Sequence, residues 1–242
     1  MTSALVTGAG SGIGNAVATV LAARGHRVLC VDYDAESAER AAASIEGAEP
    51  FALDVRDEEG TDRAVAAATR MGPLSAVVTC AGANTKAPAH EMSVDALRMV
   101  MDVNVAGTFL TCRAAARQMI ADGTAGSMVL IGSINSVLAL ANQAAYATSK
   151  SAVLMLGKVL AIDWAPYGIR VNVVGPGLTR TPMAAGMIAD DEKMAWAMNR
   201  IPMKRVAEPV DIADVCAFLL SDAARHVTGT FLPVDGGWMT GA

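Results

Sequence analysis

The chain has 242 residues, a formal net charge of −5 and 53% hydrophobic residues, enough apolar material to bury one large α/β core. The acidic balance and scattered Lys and Arg residues argue against a nucleic-acid partner, which needs a basic face. The N-terminal Met1–Thr7 lacks a basic stretch followed by a long apolar core, and no uninterrupted apolar run reaches membrane-spanning length, so neither a leader nor a membrane partner is expected. The four cysteines are far apart with no CxxC pair or Cys/His cluster at metal spacing. They read as reduced thiols of a cytoplasmic protein, with no metal expected.

Short apolar runs alternate with helical patterns from the start. Strands are predicted at 4–7, 27–32, 50–53, 74–79, 127–131, 169–174 and 230–234. Helices are predicted at 12–24, 35–45, 58–71, 93–121, 144–164, 182–200 and 210–220. Gly25, Gly47 and Gly72-Pro73 stop the first three helices; Ser93 caps the fourth. This alternation predicts an α/β fold of Rossmann type: a doubly wound, parallel, seven-stranded sheet with helices on both faces. With no linker or repeat in view, 1–242 reads as one dinucleotide-binding and catalytic domain, with 178–200 as a lid over the substrate.

The first strand runs into Thr7-Gly8-Ala9-Gly10-Ser11-Gly12-Ile13-Gly14, which opens a helix. Glycines let the backbone approach a pyrophosphate, and the helix N-terminus offers free N–H groups to it. Gly8, Ser11, Gly12, Ile13 and Gly14 are therefore candidate cofactor residues. Asp32 ends the second strand, placed to accept hydrogen bonds from ribose hydroxyls and to repel a 2′-phosphate. No cation follows in Tyr33–Glu36, so NAD(H) is expected over NADP(H).

Tyr146 and Lys150 lie four residues apart, on one face of a predicted helix. An ammonium beside a phenol favours the phenolate and brings a weak base toward its working range. With Asp54-Val55, Cys80-Ala81-Gly82, Asn104, Ser133, Pro176-Gly177 and Asp235-Gly236-Gly237 in order, the whole chain resembles the short-chain dehydrogenase/reductase family.

That resemblance implies a tetrad. Tyr146 would be the general acid/base, and Ser133 would orient the substrate oxygen. Lys150 would hold the nicotinamide ribose and lower the tyrosine pKa, and Asn104 would hold a water that relays protons. It also implies that Asp54 and Val55 line the adenine pocket and that Ala81 and Gly82 approach the ribose. Pro176 and Gly177 would line the nicotinamide, Thr181 would reach the carboxamide or phosphates, and Asn104, Tyr146 and Lys150 would share in cofactor binding. Family members are usually tetramers, pairing the helices near 93–121 and 146–165, with Trp238 as a candidate anchor. Thr79 and Cys80 stand where the family commonly has two Asn, a departure that bears on local stability rather than chemistry.

Segments 84–92, 134–143 and 178–200 are expected around the reacting carbon. Ser133, Gln143, Tyr146, Met183 and Met187 are the candidate substrate contacts. A Met-rich stripe is more often packing than a substrate cage, yet a flexible apolar lid suits a largely apolar alcohol or ketone. Arg180 and Arg200 read as solvated rather than as carboxylate ligands, and His90 is the one histidine in a substrate-side loop. The expected activity is NAD-dependent interconversion of a secondary alcohol and a ketone. A catalytically silent dinucleotide-binding scaffold or redox sensor is the rival; epimerisation and enoyl reduction fit less well, by chain length and by the Tyr–Lys spacing.

Overall fold

A computed structural model describes residues 1–241. Seven strands form one parallel sheet: β1 (Ser3–Thr7), β2 (Arg27–Asp32), β3 (Ala48–Ala52), β4 (Leu74–Thr79), β5 (Gly126–Ile131), β6 (Ile169–Pro176) and β7 (Phe231–Val234). Their order is β3-β2-β1-β4-β5-β6-β7. The order reverses between β1 and β4, where open α/β sheets bind ligands beyond the carboxyl ends of the strands.

Side-chain alternation along each strand builds a core on each face. Leu5, Val77, Met128 and Leu130 point to a layer containing α3 (Glu58–Met71) and two later helices, α5 (Gly107–Asp122) and α6 (Ala144–Trp164). Val6, Val78, Val129 and Ile131 point to the other layer, with α1 (Gly12–Ala23), α2 (Ala35–Ala43) and α9 (Pro209–Leu220). Small residues set the spacing: a Cβ on Gly157 of α6 would overlap the Val173 side chain of β6. Helix α6 thus packs closely on the sheet.

Three departures from the sequence expectation have local causes. Strand β3 begins two residues early, and it is the sheet edge, where Pro50 needs no ladder donor. The helix expected over 93–121 is continuous in direction but widens: α4 (Val94–Met101) passes through a π-turn at Asp102–Ala106 into α5. The segment expected as one helix over 182–200 breaks into α7 (Ala185–Ile188) and α8 (Asp191–Arg200). Asp190 causes the break by capping α8, its carboxylate accepting the Lys193 N–H at 3.1 Å. Residues 144–167 are long and apolar enough by composition to span a bilayer, with a mean hydropathy of 1.2, although Lys150, Lys158 and Asp163 interrupt the apolar run. Packing explains that composition: α6 lies on the sheet through Val153, Leu154, Leu160 and Ala161.

Candidate active site

A cleft of about 690 Å³ opens at the switch point, lined from the glycine-rich turn across to Met183 and Met187. All the residues expected to hold a cofactor reach it except Asn104, which lies behind its wall. Backbone conformation builds the first half. Gly8 has φ 66° and a Cβ there would sit 2.8 Å from the Ala81 N; a Cβ on Gly14 would overlap the Gly8 carbonyl oxygen. Strand ends, turn and α1 therefore meet at a separation that only glycine permits. Ser11 stands at the N-cap of α1 without capping it, and no acidic residue follows in the first turn. The first-turn N–H groups and the positive helix end are left for an anion. This cradle fits a dinucleotide pyrophosphate.

Asp32 faces the same cleft. Its carboxylate accepts the Gly10 N–H at 2.9 Å and the Asp34 N–H at 3.2 Å, so it also fixes the glycine turn. The cap of α2 is Asp34, which accepts the Ser37 N–H at 2.8 Å, leaving Asp32 to the cleft as expected. Arg56 is a cleft residue the sequence reading overlooked. Its guanidinium is held by Asp54 at 3.0 Å, and that contact keeps the Asp54 carboxyl below its ordinary value. Thr181 packs 3.2 Å from the position of a Gly12 Cβ, so the segment after β6 meets the glycine turn there.

The reacting half is built on β5 and α6. Ser133 follows β5 and caps a short 3₁₀ turn, its hydroxyl accepting the Asn135 N–H at 3.1 Å. Tyr146 lies in the first turn of α6 and lines the cleft together with Ser133. Ser136, unremarked in the sequence, ties the two elements: its hydroxyl donates to the Lys150 carbonyl at 2.8 Å. Lys150 is buried, with Nζ donating to the Ile131 carbonyl at 2.7 Å and lying 5.7 Å from the Tyr146 ring centre.

Burial pushes the Tyr146 phenol up, and the neighbouring Ser133 hydroxyl opposes that shift. The cause is desolvation, which also brings Lys150 down to about 8. The neighbouring Cys80 thiol is pushed up to about 12 by burial, so it is a packing residue rather than a nucleophile.

Asn104 is buried at the π-turn, not on a solvent face. Its Oδ1 accepts the Ala83 N–H at 2.7 Å, and its Nδ2 donates to the Ala83 carbonyl at 3.0 Å and the Ser149 hydroxyl at 2.8 Å. The side chain is a clamp between the loop after β4 and α6, with both N–H donors engaged by protein partners. The Thr79 departure leaves a buried hydroxyl without a hydrogen-bond partner. Thr7 braces the adjoining turn instead, accepting the Ala81 N–H at 3.2 Å.

The substrate-side expectations divide. Met183 and Met187 line the cleft, while Met198 packs behind it with Ile134, Ala197, Ile201 and Trp238. Gln143 lies one turn before Tyr146, outside the cleft lining. Arg180 pairs with Glu208 at 3.0 Å, and Arg200 covers Trp196 at 4.1 Å from the ring centre. His90 is exposed beside Glu91 and stands away from the cleft. Trp238, the candidate subunit anchor, is instead buried inside the chain, edge-on to Trp196 of α8 at 5.4 Å.

Comparison with known proteins agrees with this geometry. A family profile described as enoyl-(acyl carrier protein) reductase matches residues 8–239. The chain is 39% identical over 236 residues to D-erythrulose reductase of Gallus gallus, covering 98% of this chain and 95% of that one. It is 39% identical over 241 residues to D-threitol dehydrogenase of Mycolicibacterium smegmatis, covering 97% and 92%. A gluconate 5-dehydrogenase from Burkholderia cenocepacia, solved with NADP and tartrate, superimposes with a TM-score of 0.94 at 33% identity, covering 100% of this chain and 96% of that one. Sheet order, glycine cradle and these likenesses over nearly the full length agree: the chain belongs to the short-chain dehydrogenase/reductase family, oxidoreductases that work with a nicotinamide dinucleotide.

Proposed function

We propose that this protein is an NAD(H)-dependent dehydrogenase that interconverts a secondary alcohol and its ketone. The convergence of Ser133, Tyr146 and Lys150 at the carboxyl end of the sheet, facing a glycine-built anion cradle, carries the reading. A nicotinamide dinucleotide, when bound, supplies the hydride chemistry and, oxidised, a cationic ring that favours the phenolate.

The protein's own residues do the rest. Ser133 and Tyr146 both face the cleft, so a substrate oxygen held between them is oriented by one hydroxyl and exchanges its proton with the other. In oxidation the alcohol loses a hydride from carbon and its hydroxyl proton to Tyr146; reduction returns both. Lys150, with its pKa near 8, keeps its charge at neutral pH and can pass a proton on. Asn104 is a positioning residue that fixes the Ala83 backbone against α6.

The NAD preference rests on Asp32, whose carboxylate faces the cleft, and on Arg56, whose charge is already engaged by Asp54. The Burkholderia cenocepacia relative holds NADP, so the preference is a distinguishing trait to be measured. Relatives named for D-erythrulose and D-threitol support a small alcohol or ketone as substrate. Free cysteines, three of them buried, suit the reducing cytoplasm. The outer face of α6 exposes Met155, Val159 and Ile162 at helical spacing, a stripe suited to pairing in a homotetramer.

The test is initial-rate kinetics with both cofactors on secondary alcohols and ketones. NAD+ should be preferred at least about tenfold. Tyr146→Phe should lose about 10²–10⁴-fold in kcat while binding NADH as the parent does. Unchanged turnover in that variant rejects the acid/base assignment. NADH binding without turnover of any alcohol or ketone would favour the silent scaffold.

A further inference from the structure

The end of the cleft marked by Asp32 carries a cation that neither the glycine turn nor α2 supplies. Strands β2 and β3 are parallel neighbours with Asp32 and Ala52 in register, and the Leu53 N–H donates to the Asp32 carbonyl at 2.8 Å. Neighbouring strands lie about 4.8 Å apart, so the chain leaving β3 runs alongside Asp32. That run delivers Asp54 and Arg56, and both line the cleft with Asp32 and Ser37. In dinucleotide folds an arginine close to the ribose-binding carboxylate is the group that accommodates a 2′-phosphate.

Arg56 is held back from that part by its own neighbour. Its Nε donates to both Asp54 oxygens at 3.0 Å, and Nη2 donates to Oδ2 at 2.5 Å. The Arg56 backbone N–H donates to the same carboxylate at 3.0 Å, so a short turn of chain closes the pair. Asp102 of the π-turn is a second carboxylate near the guanidinium. Arg40 of α2 is occupied as well, by the Ser37 hydroxyl at 2.8 Å and by Glu36 at 3.4 Å. Nη1 of Arg56, by contrast, has no hydrogen-bond partner among the described residues.

The strength of the latch follows from its exposure. The Arg56 side chain is 50% exposed and that of Asp54 45%. An ion pair in contact with water is weak, whereas a bidentate arginine–phosphate contact is among the strong charge-assisted ones. The latch therefore biases a competition for the guanidinium and does not abolish it.

We propose that Arg56 is a latent site for a 2′-phosphate and that Asp54 is the positioning residue that withholds it. Asp32 repels the phosphate directly; Asp54 acts through Arg56, by occupying its donors. The pair thus sets how strongly NAD(H) is preferred over NADP(H), and the proposal rests on the NAD(H) reading above.

The experiment is a double-mutant cycle of Asp54→Asn and Arg56→Gln, followed by two ratios. Calorimetric affinity for adenosine 2′,5′-bisphosphate against 5′-AMP, on protein without cofactor, isolates the phosphate. The ratio of kcat/KM for NADP+ against NAD+ does the same in turnover. Adenine is common to both members of each pair, so any lost adenine contact cancels. Asp54→Asn should raise both ratios at least about tenfold, and Arg56→Gln should lower both at least about threefold. In the Arg56→Gln background Asp54→Asn should change neither. A rise that persists in that background overturns the proposal, because it reports only the removal of a negative charge. Ratios unmoved by Asp54→Asn overturn it too. So does an Arg56→Gln variant that weakens both members of each pair equally, which assigns Arg56 to the adenine. A parent enzyme that favours NADP+ rejects the NAD(H) reading alone if the cycle still shows the coupling, and rejects both if the coupling is missing.

Discussion

The two ends of the cleft are made of different material. The cofactor end is main chain: glycines at Gly8 and Gly14 that admit no Cβ, the uncapped first turn of α1, and one carboxylate that locks the Gly10 N–H. The reacting and substrate end is side chain, assembled by Ser136, Asn104 and Lys150 across loops far apart in sequence. Main-chain construction binds a shape shared by every dinucleotide. Side-chain construction leaves orphaned polar atoms and a buried cation, features that cost stability.

That contrast can be broken most directly at Gly14. Gly14→Ala pushes a methyl group into the Gly8 carbonyl, and backbone has no cheap way to yield. NADH affinity should fall at least about 100-fold, with about 1–3 kcal/mol of stability lost to overpacking. A fluorescence titration and a thermal melt measure both. Binding at the parental level would show that the cradle is not rigid main chain after all.

The next effect belongs to the side-chain end. Asn104→Ala removes three hydrogen bonds and strands the Ala83 N–H and carbonyl, so a loss of about 3 kcal/mol is expected in chemical denaturation. Activity should fall through kcat more than through cofactor affinity, because the clamp positions α6 rather than the glycine turn.

Lys150→Met should move stability the other way. Folding brings Lys150 from its ordinary 10.5 to about 8, because burial disfavours the ammonium. Between those values the unfolded chain binds more protons than the folded one, so stability rises with pH across that window. Below pH 8 the buried charge is a standing cost of about 3 kcal/mol, of which the lost hydrogen bond to Ile131 offsets about 1 kcal/mol in the variant. Lys150→Met should therefore be inactive, about 2 kcal/mol more stable at pH 7, and without the alkaline rise. A less stable variant would place the lysine among the supports of the fold.

The same division decides what could be read from residues alone. The glycine turn, Asp32 and the Tyr146–Lys150 pair are local patterns, where spacing along one element fixes spacing in the fold. All lie where expected around the cleft. The Asn104 clamp joins residues 21 and 45 positions apart, and no periodicity reports such pairs. The α7/α8 break lay within reach, since Asp190 is a good cap, but the methionine pattern outweighed it. The side-chain oxygens of Asn84 and Thr85, buried without a hydrogen-bond partner, could not be foreseen at all. A sequence shows which groups are polar and leaves open which of them the fold will fail to satisfy.

The π-turn at Asp102–Ala106 stores a phase shift in the helix that carries it. A helix advances 100° per residue, so the widened turn accommodates a residue that a regular helix would have to place elsewhere on its circumference. Deleting one residue there would restore regular winding and rotate α4 against α5 by about that angle. Ser93, Val100 and the buried carboxamide of Asn104 could not then all keep their present headings. The irregular turn thus works as a clutch, letting one continuous rod present two differently phased faces, one to the sheet and one to the reaction centre.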